Sequence, residues 1–401
     1  MTADINRVAV EYLGAEYFQD PYSVHARLRA ERPVTPVVMP GGTPAWLITG
    51  YAEARAALAD PRLRKRMPGW HPPPDSIFAA LDVHMLNSDP PDHGRLRRLV
   101  NKAFTPRRVE RLRPRVTAIT EGLLDDLSRH GARSGTDLLA SFAFPLPITV
   151  ICELLGVPAS DRDDFRAWSA TVVSDTASPA VFGEHATAMI RYFQALLAGK
   201  RREPADDLLS ALLAARDSGD RLSENELVSM AFLLLVAGHE TTVNLIASGM
   251  LALMLNPAEL GRLRADPALI GAAVEELLRY VNPVNNATFR CAAEPVEIGG
   301  VRIGRGDPVL VSLSGANRDP ARFGDPGRLD LARDGSGHLA FGHGIHYCLG
   351  APLARLEAEI AFAGLLARFG SIQLAVPVSS LRWRPSTLIH GLEALPVRLA
   401  P

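Results

Sequence analysis

Lysine is almost missing from this sequence. Lys65, Lys102 and Lys200 stand among 43 basic side chains in 401 residues, and with 44 acidic ones the formal net charge is -1. No surplus of positive charge spreads a field for nucleic acid over the whole molecule, and no run of one sign reads as a charged tail. Cysteine is as scarce. Three residues, odd in number and far apart, exclude a disulfide framework, and no Cys-x-x-Cys pair serves zinc, dithiol exchange or covalent haem. No leader is expected either: "MTADINRVAVEYLGAEYF" has no basic head followed by an apolar run of signal-peptide length. These absences point to a reducing, cytoplasmic setting.

What is present is apolar, helical and long. Hydrophobic residues make up 47% of the chain and charged ones 22%, the balance of a globular protein with a deep core. Apolar residues recur at three- and four-residue spacing near 22–31, 51–59, 91–104, 106–130, 142–156, 160–174, 182–200 and 205–216, with proline, glycine or aspartate between them. Strand signals are short: "AWLITG", then "ATFRCA", "VEIGG", "VRIG" and "PVLVSL" between 287 and 313, and "LEALPVRLA" at the end. The proline-rich "PGWHPPPDS" at 68–76 reads as an irregular loop. No internal repeat or low-complexity linker divides the chain, so one mainly α domain with small β-sheets, over 1–401, is expected.

One helix exceeds the rest. Ser223 with Glu226 three residues on predicts a capping box, and Pro257 forbids continuation beyond Asn256. At 1.5 Å per residue such a helix spans about 48 Å. Its sequence is apolar enough for a membrane span, but His239 and Glu240 fall in the middle. A charge at a bilayer centre costs about 2.5–3.5 kcal/mol, so a buried central helix is the better reading.

The stretch "FGHGIHYCLG", residues 341–350, places a cysteine ahead of an amphipathic segment with Pro352 in its first turn. Cys348 therefore sits at a helix N-terminus, where free amides and the helix dipole favour a thiolate. Gly342 and Gly344 are expected to let backbone amides point at the sulfur. One anionic sulfur without other soft ligands suits a haem iron. Zinc is the competing reading, because His338, His343 and His346 crowd beside Cys348, but no second ligand pair at motif spacing exists. Cys152 and Cys291 read as small apolar residues.

"FGHGIHYCLG" resembles the cysteine loop of the cytochrome P-450 haem-thiolate monooxygenases, Phe-Gly-x-Gly-x-His/Arg-x-Cys-x-Gly, at every position. Other stretches follow the family in order over essentially the whole chain. "EELLR" sets Glu276 and Arg279 at i and i+3, like the family's buried Glu-x-x-Arg pair, whose completing arginine would be Arg328 in "DPGRLD", although Leu329 replaces a common phenylalanine. "AGHETT" in the long helix resembles the oxygen-activation motif. There Gly238 is expected to mark a local widening of the helix, Ala237 a low surface, Thr241 a hydrogen-bonding hydroxyl and Glu240 a proton relay.

The resemblance implies haem b between the long helix and the Cys348 helix of a triangular-prism fold, with Cys348 as axial iron ligand and Phe341, Gly342 and Ala237 against the cofactor. His93 and Arg97 from "DPPDHGRLRRLV", Arg290 from "ATFRCA" and His346 would hold the two propionates, buried carboxylates that need such partners. It implies a monooxygenase supplied with two electrons by a ferredoxin and its reductase, a monomer with no membrane or nucleic-acid partner. The stretch Arg95, Arg97, Arg98, Lys102, Arg107, Arg108, Arg111, Arg113 and Arg115 would offer the donor a cationic face; a plain solvated face is the other reading. The substrate pocket is expected to draw on Met67, Trp70, Phe78, Met85, Leu86, Leu233, Val236, Ala237, Val284 to Asn286, Leu388 and Ile389, an apolar lining. Hydroxylation or epoxidation of a polyketide- or macrolide-type secondary metabolite is expected, as in actinobacterial members. A xenobiotic or steroid substrate, an electron-independent isomerase or dehydratase, and a non-catalytic haem or ligand carrier remain alternatives.

Overall fold

The computed structural model describes residues 10–67, 69–73, 76–101, 104–130, 135–217 and 222–401; Lys102 and part of the 68–76 loop lie outside the described residues. The Ser223 hydroxyl accepts the Glu226 amide at 3.2 Å while the Glu226 carboxylate accepts the Ser223 amide at 2.7 Å, which closes the expected capping box. From it the helix Glu224–Leu255 runs 32 residues and is apolar on nearly every face, so it is buried on nearly every face. Helices Pro145–Leu155, Pro179–Arg202, Ile270–Val281 and Ala351–Arg368 pack around it. Among the described residues it alone is long and apolar enough to cross a membrane, yet 83% of its most apolar window lies inside the protein.

Prolines explain two departures from the periodicity. The expected 106–130 helix is two, Pro106–Glu110 and Arg113–His130, because Pro114 has no N–H to donate and fits only the first turn of a new helix. Pro257 ends the long helix and at once opens the next, Pro257–Ala265.

The main sheet has six strands in the order Glu11–Tyr12, Val34–Val38, Pro44–Ile48, Pro308–Val311, Arg290–Ala292 and Leu63–Arg64. Val34–Val38 pairs antiparallel with Pro44–Ile48, from Val34 opposite Ile48 to Val38 opposite Pro44. No sequence signal marked the first of these strands, because Pro36 interrupts it. Proline is tolerated there because the neighbouring two-residue strand reaches only Val37 and Val38, leaving Pro36 unpaired on that side. Ser371–Leu374, Pro396–Ala400 and Thr136–Asp137 form a second sheet, and Val296–Ile298 with Val301–Ile303 a hairpin. The first sheet carries Arg290 toward the helical half, where the site forms.

Candidate active site

A cavity of about 400 Å³ separates the long helix from the cysteine loop. Cys348 is exposed by surface area while protein surrounds it on all sides, because the surface it exposes is cavity wall. Its amide donates to Phe341 O at 2.9 Å, and Gly342 and Gly344 take the left-handed backbone that turns the loop, with φ of 72° and 74°. A Cβ on Gly344 would stand 2.9 Å from Leu58 O. The sulfur-facing amides are not where the glycine pattern placed them. Gly342 N–H is committed to Leu339 O at 2.8 Å, and the amides acting on the thiol belong to Gly350 and Ala351, where helix Ala351–Arg368 begins. Burial pushes the thiol up; those amides and the Arg97 and Arg355 guanidiniums pull it back.

The rim of the cavity is cationic, and Asp89, whose charge reaches Lys65, Arg290 and His93, offsets only part of it. Arg97 crosses to the cysteine loop and donates to Ile345 O at 3.0 Å and Tyr347 O at 2.7 Å. The His93 and His346 rings meet edge to face with centroids 4.5 Å apart. Lys65, which the sequence did not single out, joins them through hydrogen bonds to Thr288. Burial lowers all of these groups, and their mutual repulsion adds to it for His346, brought to about 2, and for Lys65. Arg290 is lowered to about 10. His93 Nε2, His346 Nε2 and Arg290 Nε are buried without any partner. Such orphaned donors beside an unbalanced charge cluster fit a buried dianionic edge, the two carboxylates of a haem. Zinc has no comparable arrangement. His338 is 3.2 Å from Glu275 rather than turned to Cys348, and among the described residues no group of His, Cys, Asp and Glu side chains gathers around a metal position.

Across the cavity, the long helix is buried between its end turns except where it faces this space: Ala237 is exposed, and Gly238 and Thr241 partly so. The helix is α throughout, without the expected widening. Gly238 answers a packing need instead, since a Cβ would fall 2.7 Å from Ile151 Cγ1. The Thr241 hydroxyl donates to Ala237 O at 3.1 Å. Glu240 is 5% exposed and accepts from Arg384 Nη2 at 2.8 Å. Arg384 arrives from 144 residues away and remains partly solvated, so no local pattern could have paired the two.

Behind the site, Glu276 and Arg279 are both fully buried and share two 2.7 Å hydrogen bonds. The arginine that completes them is Arg333, at 3.3 Å from Glu276 Oε1, and not Arg328. Arg328 closes a tight turn onto Asp325 O, which throws its side chain outward to Asp330 and leaves only its carbonyl facing in, toward Arg279. The chain then turns once more, from Asp330 to Arg333, and brings the later arginine back.

Glu275, the next residue outward, joins the cysteine helix to this network through Arg355, at 2.6 and 2.9 Å, and through His338. Burial alone would raise its carboxyl, but these partners outweigh burial and hold it at about 2. The unfolded value is about 4.3, so the stabilisation is complete above that pH and is lost as pH falls through about 2. Glu275→Gln should therefore lower stability at neutral pH and flatten its decline on acidification, as read by urea unfolding across that range.

Met85, Leu86, Leu233, Val236, Val284, Leu388 and Ile389 line the cavity as expected. Met67, Trp70 and Asn286 line an adjoining space of about 580 Å³ that shares Lys65, Asn87, Thr288 and Leu388 with the first. Phe78 lines neither: Ala79 and Leu81 take the buried face of its short helix, so Phe78 turns out onto Phe182. Asn285 is buried against Tyr17 and Ser314 and lines neither space.

A helical fold that brings one cysteine, a cationic rim and an apolar chamber together defines a haem-thiolate protein. The cytochrome P-450 family model matches residues 177–268 and 263–377. The chain is 52% identical to the cytochrome P-450 monooxygenase PikC of Streptomyces venezuelae, over 96% of this chain and 92% of that one. It is 46% identical to the 6-deoxyerythronolide B hydroxylase of Saccharopolyspora erythraea, over 95% and 96%. The solved structure of the monooxygenase TamI with tirandamycin C bound superposes with a TM-score of 0.91 at 52% identity, over 97% of this chain and 100% of that one. The chain belongs to the cytochrome P-450 family: it is a monooxygenase of the P-450 fold that carries haem b.

Proposed function

We propose that this protein hydroxylates or epoxidises an apolar polyketide- or macrolide-type metabolite with dioxygen and two electrons from a ferredoxin system, in the cytoplasm. The observation that carries the reading is that Cys348, the cationic rim and the Glu240–Thr241 pair open into one apolar chamber. The haem supplies the oxygen chemistry. Cys348 would hold the iron through its thiolate. His93, Arg97, Arg290, His346 and Lys65 would hold the propionates, with Phe341, Gly342 and Ala237 against the ring. The relatives named above, one a 6-deoxyerythronolide B hydroxylase and one holding tirandamycin C, support the substrate class.

Thr241 and Glu240 would move protons. The Thr241 oxygen keeps free lone pairs toward the cavity while its own proton rests on Ala237 O, and rotation of the hydroxyl would turn the donor inward. Arg384 would hold Glu240 at the boundary between solvent and chamber. Electrons would enter on the cysteine side. Arg98, Arg107, Arg108 and Arg111 are exposed there, without an ion-pair partner among the described residues, and helix Pro106–Glu110 packs on helix Ala351–Arg368. That is a face for an acidic donor protein.

The test is a Soret-shift screen of macrolactones, linear polyketides and steroids, followed by turnover with a surrogate ferredoxin and its reductase. Steroid-only binding, or turnover that ignores reducing equivalents, would replace the reading. In Thr241→Ala, product per NAD(P)H should fall about tenfold or more as hydrogen peroxide rises, with recovery in Thr241→Ser, the scale expected for a lost proton-transfer group. Unchanged coupling would remove Thr241 from the relay.

A further inference from the structure

His84 lines the chamber but has no part in the roles above. It caps the single turn Met85–Asn87, is 3% exposed, and lies nearly parallel to Phe232, with an 18° interplanar angle. Its Nδ1 accepts the Asn87 amide at 3.2 Å, which leaves the neutral ring's one proton on Nε2. Burial, with Arg66 and Lys65 nearby, lowers His84 to about 3, so the ring is neutral at working pH. Nε2–H has no protein partner among the described residues, yet it is not sealed from open space, and the open space His84 borders is the chamber.

Of the carboxylates around the two joined spaces, two are paired with arginine and the third, Asp175, borders only the second space. Asp82 is held by Arg66 at 2.7 Å and by Asn87, Asp175 accepts the Thr387 amide, and Glu240 is held by Arg384. The 400 Å³ chamber thus offers a fixed neutral donor in an apolar wall and, among the described residues, no acid without an arginine partner to balance an ammonium group.

We propose that His84 Nε2–H is the donor that registers a carbonyl or lactone oxygen of the substrate, and that the natural substrate is a neutral, acceptor-bearing ring rather than an amine-bearing one. This rests on the monooxygenase reading above and narrows its substrate class. His84 is a specificity-determining residue here, one that touches substrate without taking part in the oxidation.

The test titrates the haem-loaded protein with three probes of one ring size, cyclopentadecanone, cyclopentadecane and cyclopentadecyltrimethylammonium, the last unable to ligate iron. In the wild type the ketone should bind about tenfold more tightly than either of the others, the scale of one neutral hydrogen bond in a dry site. His84→Phe keeps the stacking on Phe232 and should weaken the ketone about tenfold while the hydrocarbon changes less than about twofold. His84→Gln, which restores an N–H, should recover part of the loss. An undiminished ketone preference in His84→Phe, parallel weakening of ketone and hydrocarbon, ammonium binding as tight as ketone, or no shift with any probe would each overturn the proposal. A reduced carbon monoxide spectrum lacking thiolate character would instead indict the underlying haem-thiolate reading.

Discussion

Cys348→Ser should end turnover while leaving a folded, helical protein. Among the described residues the sulfur is the one thiol lining the cavity, and the amides of Gly350 and Ala351 with the Arg97 guanidinium are arranged to support negative charge on it. A serine hydroxyl in that position neither ionises near neutral pH nor donates electron density as a thiolate does. Losing an outer partner of a metal ligand costs roughly 10- to 100-fold in affinity or activity. Loss of the ligand itself should exceed that range, and the reduced carbon monoxide complex should lose the red-displaced Soret band. Retention of that band in the variant would mean that the iron is held by another residue. Helicity by circular dichroism separates loss of ligation from loss of fold.

The second large effect lies in the buried network and distinguishes two arginines. Glu276→Gln removes the carboxylate from beneath Arg279 and Arg333 and leaves their buried charge unbalanced, a change that costs about 3–5 kcal/mol when a buried pair is broken. Arg333→Ala should be of the same sign and somewhat smaller, since Glu276 keeps both hydrogen bonds to Arg279. Arg328→Ala should stay below about 1 kcal/mol, because its side chain is 62% exposed and its inward-facing carbonyl survives the substitution. Urea midpoints of the three variants, with haem retention followed in parallel, give the ranking. A larger loss in Arg328→Ala than in Arg333→Ala would restore the arginine that the sequence pattern favoured.

That reversal shows where local pattern stops being informative. Glu276 and Arg279 were legible because a helix fixes i and i+3 on one face, and a three-residue spacing needs no tertiary knowledge. The third member comes from a loop with two turns in succession, where a shift of a few residues inverts which side chains face in. The same holds for the glycines of the cysteine loop. The pattern suggested amides turned to the sulfur, but which amides meet it depended on Gly342 N–H being taken by Leu339 O. Gly238 suggested a widened helix by its type alone; that the helix stays regular and the constraint is Ile151 packed against it was not legible.

By itself the sequence determined the chemistry and the scaffold's main members. One cysteine ahead of a helix, an Ala-Gly-x-Glu-Thr run inside a capped apolar helix, and a histidine and arginine one turn apart each rest on periodicity or on the properties of single side chains, which are local. Only the tertiary structure decided the partners: Arg333 for Glu276, Arg384 for Glu240, Lys65 for the cationic rim and His84 for the chamber wall. Each of these reaches its position across some 57 to 223 residues of intervening chain or through a bend in a loop. Spacing along the chain carries no information about such meetings, because they are set by how separate elements bury their apolar faces against one another.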